Sequence, residues 1–361
     1  MAVLKIHQEY LVKLYCKNLI IVTTIFASLT FILNILEEIK FFDGMKLNLY
    51  YPIFFTILNL PSILFEIFPF IFLITTQMFF LHLYDRDELL IFKNYGVKNS
   101  DIVKIISIIT TIFGLFLIFG YYTISSNLKN NYLSFKNSFT EDNKYLAVIN
   151  EDGLWIKDEI NDIINIVNAE QIERNFLKNV SISKLDNNFT LLKTISAKKI
   201  DINSNIWIAE DVKIFETNGK KSEEERILIK SNFNLEKINN LFSNLSSLNL
   251  FQLLDLYKDY ESLGYSTVDI ESYINKLVAL PIYLVIMIVL GSILMLNTKY
   301  NKSKILNIVM GILLSVIIYY INYFFNVMGI NERIPIMLSI WFPIIILTMV
   351  SVVGILKINE K

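Results

Sequence analysis

Six stretches of the sequence are too long and too apolar to belong to the core of a soluble domain. Each holds roughly 18 or more largely hydrophobic residues, the length that an α-helix needs to cross a hydrocarbon layer of about 30 Å. They lie within residues 19–36, 53–83, 102–124, 277–296, 305–327 and 335–356. Because backbone groups in hydrocarbon must be satisfied inside their own segment, these stretches predict six transmembrane helices. The overall content of 54% hydrophobic and 19% charged residues agrees with that class.

The second stretch carries residues that a membrane helix tolerates poorly. Pro61 and Pro69 are expected to bend or break its outer part. Glu66 lies between them, and a carboxylate at that depth is expected to face protein or water. A structural role, in which Glu66 satisfies backbone groups freed by the prolines, stays open. The third stretch is expected to begin at Asn99 or Ser100 as a helix cap.

Between the third and fourth stretches the pattern changes to short β-prone segments. They occupy residues 153–158, 180–182, 191–197, 205–209, 212–215 and 227–229. A turn is expected at residues 186–188, and a polar loop at residues 218–225, whose acidic run reads as solvated. Short strands at near-regular spacing favour a sandwich or an open barrel. Residues 248–263 then return to helical spacing and end at Gly264, which predicts a helix leading into the fourth span.

The distribution of basic residues predicts the orientation in the membrane. One set of tails and loops carries eleven: Lys5, Lys13, Lys17, Arg86, Lys93, Lys98, Lys299, Lys302, Lys304, Lys357 and Lys361. The short loops opposite hold Lys40, Lys46 and Arg333. Because cytoplasmic loops carry the excess of Lys and Arg, both termini and the Arg86 loop are expected in the cytoplasm. The net charge of −1 offers no basic field for nucleic acid.

The loop between the second and third spans, residues 85–96, is more apolar than a solvated hairpin requires. Asp85 is expected to cap a short helix, Asp87 and Glu88 to suit its positive end, and Gly96 to stop it. An apolar helix displayed between two spans invites a docking partner. An ordinary loop at the membrane surface is the alternative.

Catalytic chemistry has little support in the sequence. The segment 219–222 reads Gly-Lys-Lys-Ser but lacks the upstream glycine of a phosphate-binding P-loop. Neither G-x-S-x-G nor H-E-x-x-H occurs. With one cysteine and two histidines far apart in the chain, a zinc site or a Cys/His catalytic pair is not expected. The chain is therefore expected to be no enzyme and to bind no cofactor.

The order of these features resembles the LptF/LptG (YjgP/YjgQ) permease family of lipopolysaccharide export ABC transporters, and the LptG type more closely. The motifs that carry the resemblance are Pro61…Pro69-Phe70, Arg86-Asp87-Glu88-Leu89…Gly96, Gly153-Leu154-Trp155-Ile156-Lys157-Asp158, Leu250-Phe251…Tyr260…Leu263-Gly264 and Gly311…Tyr319…Asn322. The third is similar to the G-L-W-x-K-D of the G-type subunit. The last stands where G-type members show G…Y…D in span five.

The resemblance implies an α-helical membrane protein of six transmembrane helices with an extracytoplasmic, all-β, jellyroll-like domain between helices 3 and 4. The expected boundaries are 1–125 for helices 1–3, with a coupling helix at 85–96, then 126–245 for the periplasmic domain, 246–272 for a linker helix and 273–361 for helices 4–6. It also implies a Gram-negative inner-membrane location, a heterodimer with an LptF-type permease, an LptB-type ATPase dimer that hydrolyses the ATP, and an LptC-type jellyroll protein that receives the lipopolysaccharide.

The resemblance also implies roles for individual residues of this chain. Arg86, Glu88, Leu89, Phe92 and Gly96 would form the ATPase-coupling segment, with Glu88 facing the ATPase, Leu89 and Phe92 filling its groove, and Arg86 paired with Asp87 or with the partner. The substrate path would include Asn34, Glu38, Lys40, Lys46, Tyr319, Asn322 and Tyr323. G-type relatives place a lysine where this chain has Asn34, which leaves Lys40 and Lys46 to meet the lipid phosphates.

Several simpler interpretations remain beside this one. Glu37 and Glu38 suit an interfacial position, and the aromatic residues of span five suit an interfacial belt. At the level of function, the alternative is a non-transporting adaptor driven by a cytoplasmic ABC ATPase, as in relatives of MacB and FtsX. Those proteins usually have four spans with the large domain after the first, whereas this chain is expected to have six with the domain after the third.

Overall fold

The computed structural model describes residues 6–43, 48–139, 154–160, 163–173, 175–186, 189–217, 219–235, 238, 244–263, 265–296 and 304–359. The chain separates into two compact units. The first is Met1–Lys129 with Val268–Lys361, and the second is Asn130–Thr267. Each unit is described in turn.

The first unit is helical and contains six helical spans long and apolar enough to cross a membrane, as predicted. Its elements are α1 (Ile6–Phe41), α2 (Tyr50–Asp85), α3 (Glu88–Asn94), α4 (Asn99–Phe116), a π-helical segment (Leu117–Tyr121), the first half of α5 (Tyr122–Asn137), α7 (Val268–Leu296), α8 (Lys304–Ile330) and α9 (Ile336–Asn359). The third span is the continuous run Asn99–Asn137.

Helices α2 and α7 form the centre of this unit, and the other long helices pack around them. Their contacts are close because glycines stand at the crossings. A Cβ at Gly114 of α4 would lie 2.9 Å from the Cα of Pro281 in α7, and one at Gly291 of α7 would lie 3.0 Å from the carbonyl oxygen of Leu73 in α2. Small residues that let backbones approach are the usual device for packing helices in lipid.

The helices are longer than the apolar runs that predicted them. Helix α1 begins at Ile6 rather than residue 19, so Lys13 and Lys17 lie on the helix and not in a tail. Of the two expected effects of Pro61 and Pro69, a bend or a break, the break does not occur, because α2 runs unbroken through both. Each proline removes one backbone hydrogen bond, whereas a broken helix in hydrocarbon would leave several polar groups unsatisfied.

The second unit contains a six-stranded antiparallel sheet, which confirms the β domain inserted between the third and fourth spans. Its strands are β1 (Leu154–Ile160), β2 (Ile163–Glu173), β3 (Phe176–Leu185), β4 (Leu191–Asp201), β5 (Ile206–Glu216) and β6 (Lys221–Lys230), paired in chain order. Helix α6 (Leu250–Leu263) follows a 3₁₀ turn at Leu245–Ser247.

Strands β3 and β4 are irregular at the same level, and this shared irregularity keeps the buried face of the sheet apolar. On β3 the buried residues are Leu177, Val180 and Ile182, and on β4 they are Ile195, Ala197 and Ile200. Leu177 pairs with Ile200 and Val180 with Ala197, so both strands contain one extra residue at the same level. Asn179 stands at that level with a φ of 49°, which asparagine adopts more readily than most residues. The buried residues of both strands therefore stay on the same face of the sheet on either side of that level.

The first and last strands of the sheet are tied together by one buried carboxylate. Asp158 of β1 is 2% exposed. Its oxygens accept hydrogen bonds from the Ser231 hydroxyl at 2.8 Å, the Asn232 backbone N–H at 3.2 Å and the Asn232 side-chain amide at 2.9 Å. Ser231 and Asn232 directly follow β6, so the sheet curls until its two edges approach each other.

The strand predictions differ from the sheet in three places. Strand β2 was not predicted, and the two segments 205–209 and 212–215 are parts of the single strand β5. The loop expected at 218–225 is largely the start of β6. An edge strand tolerates charge, and Glu223 faces Lys213 across the pair with a 3.4 Å ion pair.

Candidate functional site

The short helix α3 stands between α2 and α4 and is set off from α2 by two residues. The prediction that Asp85 caps α3 is wrong, because Asp85 is the last residue of α2. The end of α2 is held by the Tyr84 hydroxyl, which donates to the carbonyl of Met295 at 3.2 Å. The cap position belongs to Asp87, whose φ of 55° turns the chain sharply into α3. Aspartate is among the residues that enter this left-handed region.

The predicted stop at Gly96 is confirmed. The Gly96 N–H donates to the carbonyl of Lys93 at 2.9 Å, and the Val97 N–H donates to that of Phe92 at 3.0 Å. This is the Schellman arrangement, which satisfies the last carbonyls of the helix and requires a left-handed residue. Gly96 supplies that conformation with a φ of 81°.

The apolar side chains of α3 divide into an anchor and an exposed face. Leu89 is only 4% exposed and packs inward, so in this conformation it holds the helix and does not present itself to a partner. Phe92 is half-buried. Leu90, Ile91 and Tyr95 are 45%, 51% and 84% exposed and form the outward face. None of these three was among the predicted ATPase-coupling residues.

Glu88 is bound within the chain. The hydroxyl of Tyr10, on α1, donates to both of its carboxylate oxygens, at 2.8 and 2.7 Å. Arg86 lies 4.0 Å from the same carboxylate, an ion pair that was not predicted. Helix α3 is thereby tied to α1 as well as to α2.

The predicted path residues of α1 lie in different environments. Asn34 is buried and accepts a 3.4 Å hydrogen bond from the Asn59 amide. The other end of the Asn59 amide, its oxygen, accepts from Lys129 Nζ at 2.6 Å. Glu38 is 1% exposed, which does not fit the interfacial alternative, and Lys40 is exposed. Lys46 lies outside the described residues.

The predicted path residues of span five line a cavity inside the helical unit. Tyr319, Asn322 and Tyr323 of α8 face a space of about 390 Å³ that is also bordered by α2, α7 and α9. The Asn322 amide donates to the Tyr283 hydroxyl at 3.1 Å, and the rings of Tyr319 and Tyr323 stack with their centroids 6.4 Å apart. The predicted α1 residues do not line this cavity.

Two charged residues of the same cavity come from other helices. Glu66 of α2 and Lys276 of α7 both border it. Lys129 of α5 and Lys276 are the two cations whose charges act on the Glu66 carboxylate. Neither lysine was predicted as a site residue, although each is a cation in or beside an apolar stretch, and that placement is itself a signal of function.

Comparison with known proteins shows which family has this architecture. A model of the family described as lipopolysaccharide export system permease LptF/LptG matches residues 9–357. The chain belongs to the LptF/LptG family. A search of curated proteins finds no match.

As an LptF/LptG protein, the chain is a permease subunit for lipopolysaccharide export and a multi-pass protein of the inner membrane. Membership implies a complex of the LptB/LptC type in general. The LptF/LptG match extends across both the helical unit and the sheet, so it favours an export permease over the adaptor alternative.

Proposed function

We propose that the chain is the LptG-type permease of an ATP-driven transporter that extracts lipopolysaccharide from the inner membrane and passes it to a periplasmic bridge. An LptB-type ATPase dimer hydrolyses the ATP, an LptF-type permease completes the membrane pair, and an LptC-type protein receives the lipid. The chain itself binds no nucleotide and no other cofactor. The family match supports the export role, and the similarity of 153–158 to the G-type motif supports the type.

The proposed orientation puts both termini and α3 in the cytoplasm and the sheet in the periplasm. It rests on the excess of basic residues at one set of loops and tails. The bond between Tyr10 and Glu88 supports it, because it holds the N-terminal end of α1 and the loop after α2 at the same end of the bundle. The proposed domains are 1–125 and 273–361 in the membrane, 126–245 in the periplasm and 246–272 as the linker.

The observation that carries the ATPase docking is the division of α3 into an anchored and an exposed side. Leu89 is buried and Glu88 is bonded to Tyr10, so the helix is held firmly on the bundle. Leu90, Ile91 and Tyr95 face outward beyond the ends of α2 and α4. An exposed apolar helix face of this kind fits into the groove of a partner. A push on this face is passed to α1, α2 and α4 together.

The test introduces one charge on the exposed face and the same charge at the opposite end of the bundle. Ile91→Glu is expected to weaken co-purification with the ATPase at least about tenfold, because a charge in an apolar groove is left unpaired. Leu49→Glu is the control, since Leu49 is 66% exposed just before α2 begins. ATPase binding that survives Ile91→Glu unchanged would contradict docking through α3.

Two helices leave broad apolar faces uncovered within the chain, and we propose that they border the lipid path and the partner permease. In the most apolar parts of α1 and α8 only 22% and 17% of residues are buried, against 67% in α7. Photo-crosslinking from Tyr323, which is 57% exposed, is expected to capture lipopolysaccharide in the assembled transporter. Capture of ordinary phospholipid alone would count against this path.

A further inference from the structure

The cavity lined by Tyr319, Asn322 and Tyr323 of α8 is also bordered by charged side chains, which are not needed to pack the helices together. Glu66 and Lys276 border it, and Lys129 acts on the same carboxylate from α5. Glu66 lies inside the second apolar stretch, and a charge at the centre of a membrane helix costs about 2.5–3.5 kcal/mol to insert. Lys129 and Lys276 lie beside the third and fourth apolar stretches, on two other helices of the same unit.

The two lysines are placed differently. Lys129 Nζ donates to Asn59, which is bonded to Asn34, and because an amide is neutral this contact orients the lysine while leaving its charge in place. Lys276 borders the cavity and is influenced by two carboxylates, those of Glu66 and of Asp269 at the start of α7. Glu66 and Lys276 are therefore the oppositely charged pair in the lining of the cavity.

The rest of the lining suits a polar headgroup attached to an apolar body. Hydroxyl and amide groups of Tyr283, Asn322 and Asn326 stand beside aliphatic residues such as Leu280 and Ile344. The Glu66 side chain is exposed to the cavity, so it can turn without repacking the core.

We infer that Glu66 is an exchangeable counter-ion: it balances Lys276 when the cavity is empty and is displaced when the phosphate of a lipid headgroup binds that lysine. This rests on the proposed export function. A phosphate monoester carries about −1.5 to −2 charges and three strong acceptor oxygens, so it outcompetes a single carboxylate. The returning carboxylate in turn lowers the barrier to release, because Lys276 then regains an anion as the phosphate leaves.

The test uses the assembled transporter in nanodiscs and two lipids, lipopolysaccharide with its phosphates and the same lipid after enzymatic dephosphorylation. Glu66→Gln is expected to bind the phosphorylated lipid about tenfold more tightly, within the usual range of coupling between two sites. It is also expected to slow ATP-driven release of that lipid. Lys276→Gln is expected to weaken binding of the phosphorylated lipid by a similar factor. Neither variant should change binding of the dephosphorylated lipid.

Controls separate the possible failures. Lys357→Gln removes an exposed lysine at the far end of α9 and should leave all values at the wild-type level. Glu66→Asp keeps the charge and should behave like wild type, which guards against a folding defect in Glu66→Gln. Inorganic phosphate alone should not displace bound lipid. If it does, the site binds a free anion, and the proposal that it binds a lipid headgroup is overturned.

If the wild-type complex binds and releases both lipids and Glu66→Gln changes neither binding nor release, the counter-ion role of Glu66 is refuted and the export function still stands. Absence of binding and release of either lipid by the wild-type complex would refute both.

Discussion

The hydroxyl of Tyr10, near the start of α1, donates to both carboxylate oxygens of Glu88 in α3, at 2.8 and 2.7 Å. These residues are 78 positions apart in sequence, and their contact joins the helix proposed to meet the ATPase to the first transmembrane helix. Helix α1 has a largely uncovered apolar face. A displacement of α3 is therefore passed directly to the helix that faces lipid or the partner permease.

Removing this hydroxyl should uncouple the two helices without disrupting either. Tyr10→Phe keeps the ring and deletes a hydrogen bond to a charged group, a class worth about 1.5–3 kcal/mol. We expect ATPase binding close to wild type and a several-fold drop in lipid released per ATP hydrolysed. Tyr50→Phe is the matched control, since Tyr50 is 65% exposed at the start of α2, away from α3. Equal coupling ratios in wild type and Tyr10→Phe would contradict the link.

The close crossing of α4 and α7 should not accept a side chain. In Gly114→Val the new Cβ would lie 2.9 Å from the Cα of Pro281. Because that atom belongs to the backbone of α7, it cannot move aside at low cost. Overpacking of this kind costs typically about 1–3 kcal/mol. The control is Gly120→Val in the same span, where the nearest atoms belong to the Phe116 ring. Thermal unfolding in detergent should show the larger loss for Gly114→Val; equal losses would be inconsistent with the crossing.

The carboxylate that joins the edges of the sheet should be essential to the second unit. Asp158→Ala leaves the donors at Ser231 and Asn232 without their acceptor, and we expect a loss of about 3 kcal/mol or more, since three bonds to a charged group are broken. Asp211→Asn is the control, because Asp211 is on the surface and asparagine tolerates its φ of 53°. Hydrogen exchange in β1 and β6 of the full chain should rise only in Asp158→Ala. Unchanged protection would show that the edges are held by other contacts.

Lys184 gives the sheet a pH dependence of definite sign. Burial lowers the pKa of this lysine, and the nearby Lys193 lowers it further, against a smaller opposing effect of Asp158. Between the lowered pKa and the ordinary value near 10.5, the unfolded state binds more protons, so stability rises with pH there and the cost is fully present at neutral pH. Lys184→Met should raise the unfolding temperature at pH 7, and this gain should shrink as the pH approaches 10. A gain independent of pH would point to packing instead.

The transmembrane core was readable from the sequence because hydrocarbon imposes one strong requirement. Long apolar runs identified all six spans, and Gly96 identified the end of α3. The starting point of α3 was not predicted, because Asp85 and Asp87 are equally good capping residues by type. Helix α2 continues through Asp85, and its end is held by the hydrogen bond from the Tyr84 hydroxyl to the carbonyl of Met295, a contact between residues far apart in sequence.

Contacts between distant residues were beyond the reach of the sequence. Nothing local distinguishes Leu89, which is buried, from Leu90, which is exposed. The shared position of Glu66, Lys129 and Lys276 depends on how three helices pack, and their separations in sequence carry no periodic signal. Strand β2 was missed for a different reason: its residues, Ile163–Glu173, mix polar and apolar side chains without regular alternation.

The unbroken course of α2 has a mechanical consequence. With 36 residues it extends over about 54 Å, and it carries α3 at one end and Asn59 and Glu66 farther along. If the ATPase proposed to dock on α3 tilted α2 by about 10° about its α3 end, the opposite end of the helix would move by about 9 Å, because the helix rises about 1.5 Å per residue. A small tilt at the proposed docking helix would then become a larger movement at the far end of α2.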